Sequence, residues 1–226
     1  MISKNLCVII ALLLFVVGCS KPMDFNYALG RINEVNGKYG TDLQSYPAEA
    51  NKIDSLVDEL SGLKKEKLSG GQEAFDVLVD YRILNLEAEK LYLESQKYGN
   101  AGGTKNGFGC KRRPLILESA SLRNMSSLKG FEAAKKLSTL VKDYPKEAAI
   151  ANLSSKNVLF FNATFYDIAN EAESDSNIIN SFCPENITLD LYKDEFRRNK
   201  NLSEGYISKL SYQQAASEWK HERGIE

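Results

Sequence analysis

Histidine is almost missing from this sequence. The 226 residues contain one, His221, and one tryptophan, Trp219. No Ser–His or Cys–His nucleophile pair can be assembled away from that tail. The imidazole favoured by zinc and other transition metals is confined to it as well. An enzyme is therefore not expected, and no metal or cofactor is implied. Charge bias is also lacking: 29 Lys and Arg face 30 Asp and Glu, a net of -1. With no basic stripe, nucleic acid is not an expected partner. Beyond residue 17 no apolar run approaches the ~20 residues needed to span a bilayer. Alternating strand patterns are scarce too.

What is present begins at the first residues. Met1 to Asn5 carry one positive charge, Lys4, and Leu6 to Val17 is almost unbroken apolar. Twelve such residues would make a helix of about 18 Å, short of the ~30 Å hydrocarbon core. The run has no polar face, so it does not read as a core helix. A positive start, a brief apolar core and the small-residue boundary Gly18-Cys19-Ser20 describe a secretory signal peptide.

Val16-Val17-Gly18-Cys19 resembles the lipobox of prokaryotic lipoproteins, with valine where leucine is usual. The resemblance covers residues 1–19 and implies nothing about the remaining fold. It implies cleavage after residue 18 and a diacylglycerol on the Cys19 thiol, with acyl chains such as palmitate. Two acyl chains anchor stably where one binds reversibly. Residues 19–24 would then be a lipidated tether, and 25–222 one extracytoplasmic domain on the cell-envelope side of the membrane. Loss of Lys4 takes the net charge to -2.

The same reading sorts the four cysteines, Cys7, Cys19, Cys110 and Cys183. Cys7 leaves with the signal and Cys19 takes lipid. Two remain in a compartment that permits disulfides, so a Cys110–Cys183 bridge is expected.

The rest reads as all-α, six to eight helices with short connections. Apolar residues recur at three- and four-residue steps at Phe25, Leu29, Ile32, Val35 and Tyr39. They do so again at Ile53, Leu56, Val57, Leu60 and Leu63, with Pro47 as a first helical residue. A long segment from Gly71 to Lys97 shows Phe75, Val79, Arg82/Ile83, Leu86 and Leu93 on one face, with Ser69 and Gln72 as a capping box. A glycine-rich loop at 98–113 follows. Helical spacing resumes with Leu117, Met125, Leu128, Phe131, Leu137, Leu140 and Val141, with a bend at Gly130. Pro145 opens another helix, and Val158, Phe161, Phe165 and Ile168 mark an aromatic face. Glu173 to Asn177 reads as a polar break, with short helices beyond it around Leu189 and Tyr206.

Several motifs invite chemistry. The glycine loop leads into Lys111-Arg112-Arg113 and a helix start, a setting that favours anions or lipid headgroups. The phosphate-loop and dinucleotide fingerprints are missing, however. Ser61-x-x-Lys64 and Ser126-x-x-Lys129 have the serine–lysine spacing of penicillin-recognising enzymes, but the K-T-G and S-D-N partners are missing. Carboxylates cluster at Asp54/Asp58/Glu59 and Glu171/Glu173/Asp175, on faces that read as solvated. Five N-x-[ST] sequons begin at Asn124, Asn152, Asn162, Asn186 and Asn201. Tyr39, Tyr98 and Tyr144 read as helix-closing residues.

Together these features predict a helical interaction or scaffold module held at a membrane surface by Cys19, with an envelope protein as partner. The alternative is a lipoprotein that binds a small molecule or anion between helices near the 98–113 loop, in a pocket lined by Phe160, Phe161 and Phe165.

Overall fold

The computed structural model describes residues 23–102 and 110–183. Cys7, Cys19, His221, the sequons at Asn186 and Asn201 and the helices expected around Leu189 and Tyr206 lie outside them. Among the described residues the fold is all-α, with six helices and no strand. In chain order they are α1 (Phe25–Lys38), α2 (Ala50–Leu63), α3 (Gln72–Gly102), α4 (Arg113–Asp143), α5 (Pro145–Ile150) and α6 (Ser155–Phe182). A single 3-10 turn, Cys110–Arg112, precedes α4.

Local chemistry sets the helix starts. The Asp24 carboxylate accepts the Tyr27 amide at 3.0 Å and caps α1, satisfying one of its free N–H groups. Pro145 opens α5 as expected, since its missing N–H costs nothing there. At α6 the Asn157 side chain accepts the Ser154 amide at 2.9 Å, the reciprocal half of a capping box.

Two expected starts differ. α2 begins at Ala50 with Glu49 as its cap, and Pro47 is buried in the loop before it. The Ser69–Gln72 box does not form. Ser69 donates its amide and hydroxyl to the Met23 carbonyl at 2.8 and 3.2 Å, while Gln72 accepts the Leu68 amide. Gly71 stands directly before α3 at φ +75°, and a Cβ there would lie 3.0 Å from that of Phe25. That position needs glycine on both counts.

The three long helices run up, down and up. α3 and α4 are antiparallel: Asp80 pairs with Lys136, Glu87 with Lys129, and the Ser119 hydroxyl donates to Ser95 O at 2.9 Å. α6 is antiparallel to α4, as Arg123–Asp175 and Cys110–Cys183 show. The α1–α2 hairpin covers the lower half of α3. It is tied there by Lys64–Asp80 and Lys90–Asp54.

The main core lies in this lower half. Phe25, Ile32, Leu56, Leu60, Phe75, Leu78, Leu86, Leu137, Phe161 and Phe165 all bury there. Tyr81 and Phe161 meet edge to face with ring centroids 5.5 Å apart. The predicted stripes supply most of it. Met125 is the exception, turning 44% of its surface to solvent.

Small residues bring the long helices close. Gly130, where a bend is expected, lies inside one continuous helix. A Cβ at Gly130 would overlap the Phe165 ring, so this glycine is where α6 reaches α4. α3 also continues to Gly102, through what reads as the start of the glycine loop. Tyr98 accordingly sits inside a helix. The polar stretch 173–177 likewise stays within α6. Asp175 there pairs with Arg123 on α4 and Ser176 is buried, which local composition does not reveal.

Candidate functional site

The upper end of the bundle, away from the α1–α2 hairpin, holds the residues the sequence singled out. Cys110 and Cys183 pair there, with Cα atoms 5.7 Å apart across 73 positions of sequence. Their pairing closes α4 and α6 at one level. Ile116 and Ile179 bury beside Cys183 in a second, small apolar cluster. Lys111 is exposed, while Arg112 and Arg113 are half-buried at the first turn of α4. The basic triplet thus sits on the disulfide end.

Between this end and the main core the helix interfaces are polar. Ser95, Ser119, Ser126, Ser127, Asn124 and Ser176 are all buried. The Ser126 hydroxyl donates to Ala88 O at 2.7 Å, and Lys129 pairs with Glu87 instead of approaching it. Ser61 is exposed, and Lys64 bonds Asp80 at 2.6 Å. Neither serine–lysine pair forms a nucleophile. Burial raises the Asp80 pKa, but Lys64 and Lys136 outweigh it and hold the carboxyl below its ordinary value.

One carboxylate cluster differs from its sequence reading. Asp175 is not solvated: it is half-buried and accepts Arg123 Nη1 at 2.6 Å. Burial pushes its pKa up and Arg123 pulls it down, with burial winning. Glu171 stands 3.6 Å from Arg123 Nε and is about half exposed. At the other cluster Glu59 takes Lys38 and the Tyr39 hydroxyl at 2.7 and 2.8 Å, which keeps it below the usual carboxylate range.

Sequence reasoning missed two features of α3. Arg82 is completely buried and donates to Asn36 Oδ1, Leu43 O and Ser45 O, at 3.0, 3.4 and 2.7 Å. Its guanidinium lies 5.8 Å from the Tyr46 ring centroid. Burial lowers its pKa, against the opposing effect of Tyr46, Tyr81 and Asp42. Tyr46 donates to Asn85 Oδ1 at 3.0 Å, which leaves Asn85 Nδ2 buried without a hydrogen-bond partner. The available signal was Arg82's position within the apolar stripe.

The second is Glu89, half-buried seven positions further along α3, whose pKa burial pushes up to about 7. Its folded value exceeds its unfolded one, so its contribution to stability is complete below about 4.5 and is lost as pH rises through about 7. Glu89→Gln should therefore flatten the fall in stability across that window. It should stabilise above pH 7 by about 1–3 kcal/mol. Urea melts at pH 4.5 and 7.5 measure this, and an unchanged pH slope would contradict it.

Phe161 and Phe165 do not line an opening. Both are buried in the main core, with Phe160 packed against it. Among the described residues no group of His, Cys, Asp and Glu is placed to hold a metal ion. No described helix is long and apolar enough to cross a membrane. No protein-family model, curated protein or solved structure matches the chain.

Proposed function

We propose that this protein is a lipid-anchored, extracytoplasmic module that docks an envelope protein at the membrane surface. The observation that carries the compartment is the Cys110–Cys183 pair. Structural disulfides persist where the surroundings oxidise. It agrees with the export signal and lipobox-like Val16–Cys19 read from the sequence.

The scaffold role draws on shape. Six positions separate Cys19 from the first residue of α1. The two ends of α3, a helix of 31 residues, are about 45 Å from one another at helical rise. One end begins beside Met23, which follows Cys19 by four positions. The other carries the bridge and the basic triplet. A frame of this kind holds a recognition surface at a set distance from its tether.

Cys19→Ser is expected to move the protein from the membrane fraction to the soluble one. Mass spectrometry of the unsubstituted protein should find an acylated Cys19 at its N-terminus. Retention of the variant in the membrane fraction, or an unmodified Cys19, would count against the reading.

A further inference from the structure

We infer that the lower end of the bundle is its bilayer-facing surface, where Lys65 and Lys67 meet anionic lipid headgroups. The inference rests on the lipid-anchor reading above. It begins from the two hydrogen bonds by which Ser69 holds the Met23 carbonyl, at 2.8 and 3.2 Å. They fix the point where the tether meets the fold to the connection between α2 and α3. Cys19 lies four positions before Met23. Even fully extended, four residues reach about 14 Å. An acylated Cys19 therefore keeps residues 64–70 close to the headgroups.

The charges in that connection are unevenly matched. Lys64 is taken by Asp80 and Glu66 by Arg31. Lys65 and Lys67 are exposed, with no carboxylate partner among the described residues. Elsewhere on this end, the Tyr144 hydroxyl bonds Glu73 at 2.9 Å, which places the start of α5 beside the first turn of α3. The other carboxylates of this end are engaged or have lysines beside them in sequence: Asp24 caps α1, Glu73 accepts the Tyr144 hydroxyl, Asp76 accepts the Gln72 side-chain amide, and Asp143 and Glu147 neighbour Lys142 and Lys146. Met23 and Ile150, 37% and 46% exposed, give the same end apolar side chains.

The potential of an anionic surface falls away within about 10 Å at ordinary salt. Lys67 and Lys65 stand two and four positions from Ser69, which holds Met23, so both approach the surface with the tether. Lys111, Arg112 and Arg113 stand at the other end of α3, about 45 Å off. The headgroup contact thus lies at the α2–α3 connection, and the triplet faces outward.

The test uses the full-length lipidated protein in two sets of vesicles, phosphatidylcholine alone and phosphatidylcholine with phosphatidylglycerol. Lysines are acylated with a water-soluble active ester and read by peptide mass spectrometry. Lys65 and Lys67 should react about fivefold more slowly on the anionic vesicles, and high salt should abolish the difference. Lys111 should react equally on both. Equal rates at Lys65 and Lys67 on the two vesicle types, with the protein still floating with them, would overturn the inference. So would protection of Lys111 in their place. A protein that floats with neither vesicle type would remove the anchor itself, and the inference with it.

Discussion

Arg82→Ala is expected to destabilise the protein by about 3–5 kcal/mol, because it leaves buried acceptors unmatched and opens a cavity. Arg82 is wholly buried, yet its hydrogen-bond acceptors are neutral oxygens: Asn36 Oδ1 on α1 and the carbonyls of Leu43 and Ser45 in the α1–α2 loop. The end of α1 and the loop that follows it are thus held to α3 by one fork of donors. Alanine removes the fork and leaves three acceptors facing a cavity. Each buried acceptor left unmatched costs about 1–3 kcal/mol, and the lost side-chain volume adds to that. Arg82→Lys should recover little, because an ammonium cannot reach three divergent oxygens as a planar guanidinium does. Arg82→Met should fall between wild type and alanine, since it refills the stem volume without restoring any hydrogen bond. Urea unfolding of the three variants measures the order. A loss below about 1 kcal/mol in Arg82→Ala would show that the loop carbonyls find other partners.

The same residue shows where sequence and structure part. Its place in the stripe Phe75, Val79, Arg82/Ile83, Leu86 is visible in the sequence, and so is the helix that stripe belongs to. Its partners are 37 to 46 positions away, and no local pattern specifies them. The apolar spacing behind α1, α2 and α3 is a property of single helices, so it is legible. Interfaces between helices are less so. Gly130 looks like a bend because glycine disfavours helix interiors, and the reason for glycine there, the Phe165 ring, is 35 positions on. Asp175 looks solvated because its own segment is polar, and its partner is Arg123. The cysteine pair follows from elimination among four cysteines, which needs no geometry. What it ties together, the upper ends of α4 and α6, appears only in the fold.

Reduction of the Cys110–Cys183 bridge should cost about 4 kcal/mol for a closed loop of 73 residues, because the unfolded chain regains the freedom the bridge removes. The loss should not be spread evenly. Apart from Cys183, the upper cluster contains two buried apolar residues, Ile116 and Ile179. Below it the α3–α4–α6 interface is filled by the small Ala120, Ala169 and Ala172 together with Ser95, Ser119, Ser126, Ser127 and Ser176. Hydrogen bonds such as Ser119 to Ser95 O satisfy these groups, but each contributes about 1 kcal/mol net, less than burying a leucine does. Arg123–Asp175 is the strongest contact left at that level, and one part-buried pair cannot replace a covalent link. Reduction should therefore release the upper parts of α4 and α6 before the main core, whose Phe75, Leu86, Leu137 and Phe165 lie well below. Amide exchange should accelerate first in residues 113–120 and 176–182 and last around Leu78 and Leu137. The urea midpoint should fall in reductant, and in Cys110→Ser without it. A midpoint indifferent to reductant would mean the polar interface holds the upper end unaided. Uniform acceleration of exchange would mean that the two ends unfold as one cooperative unit.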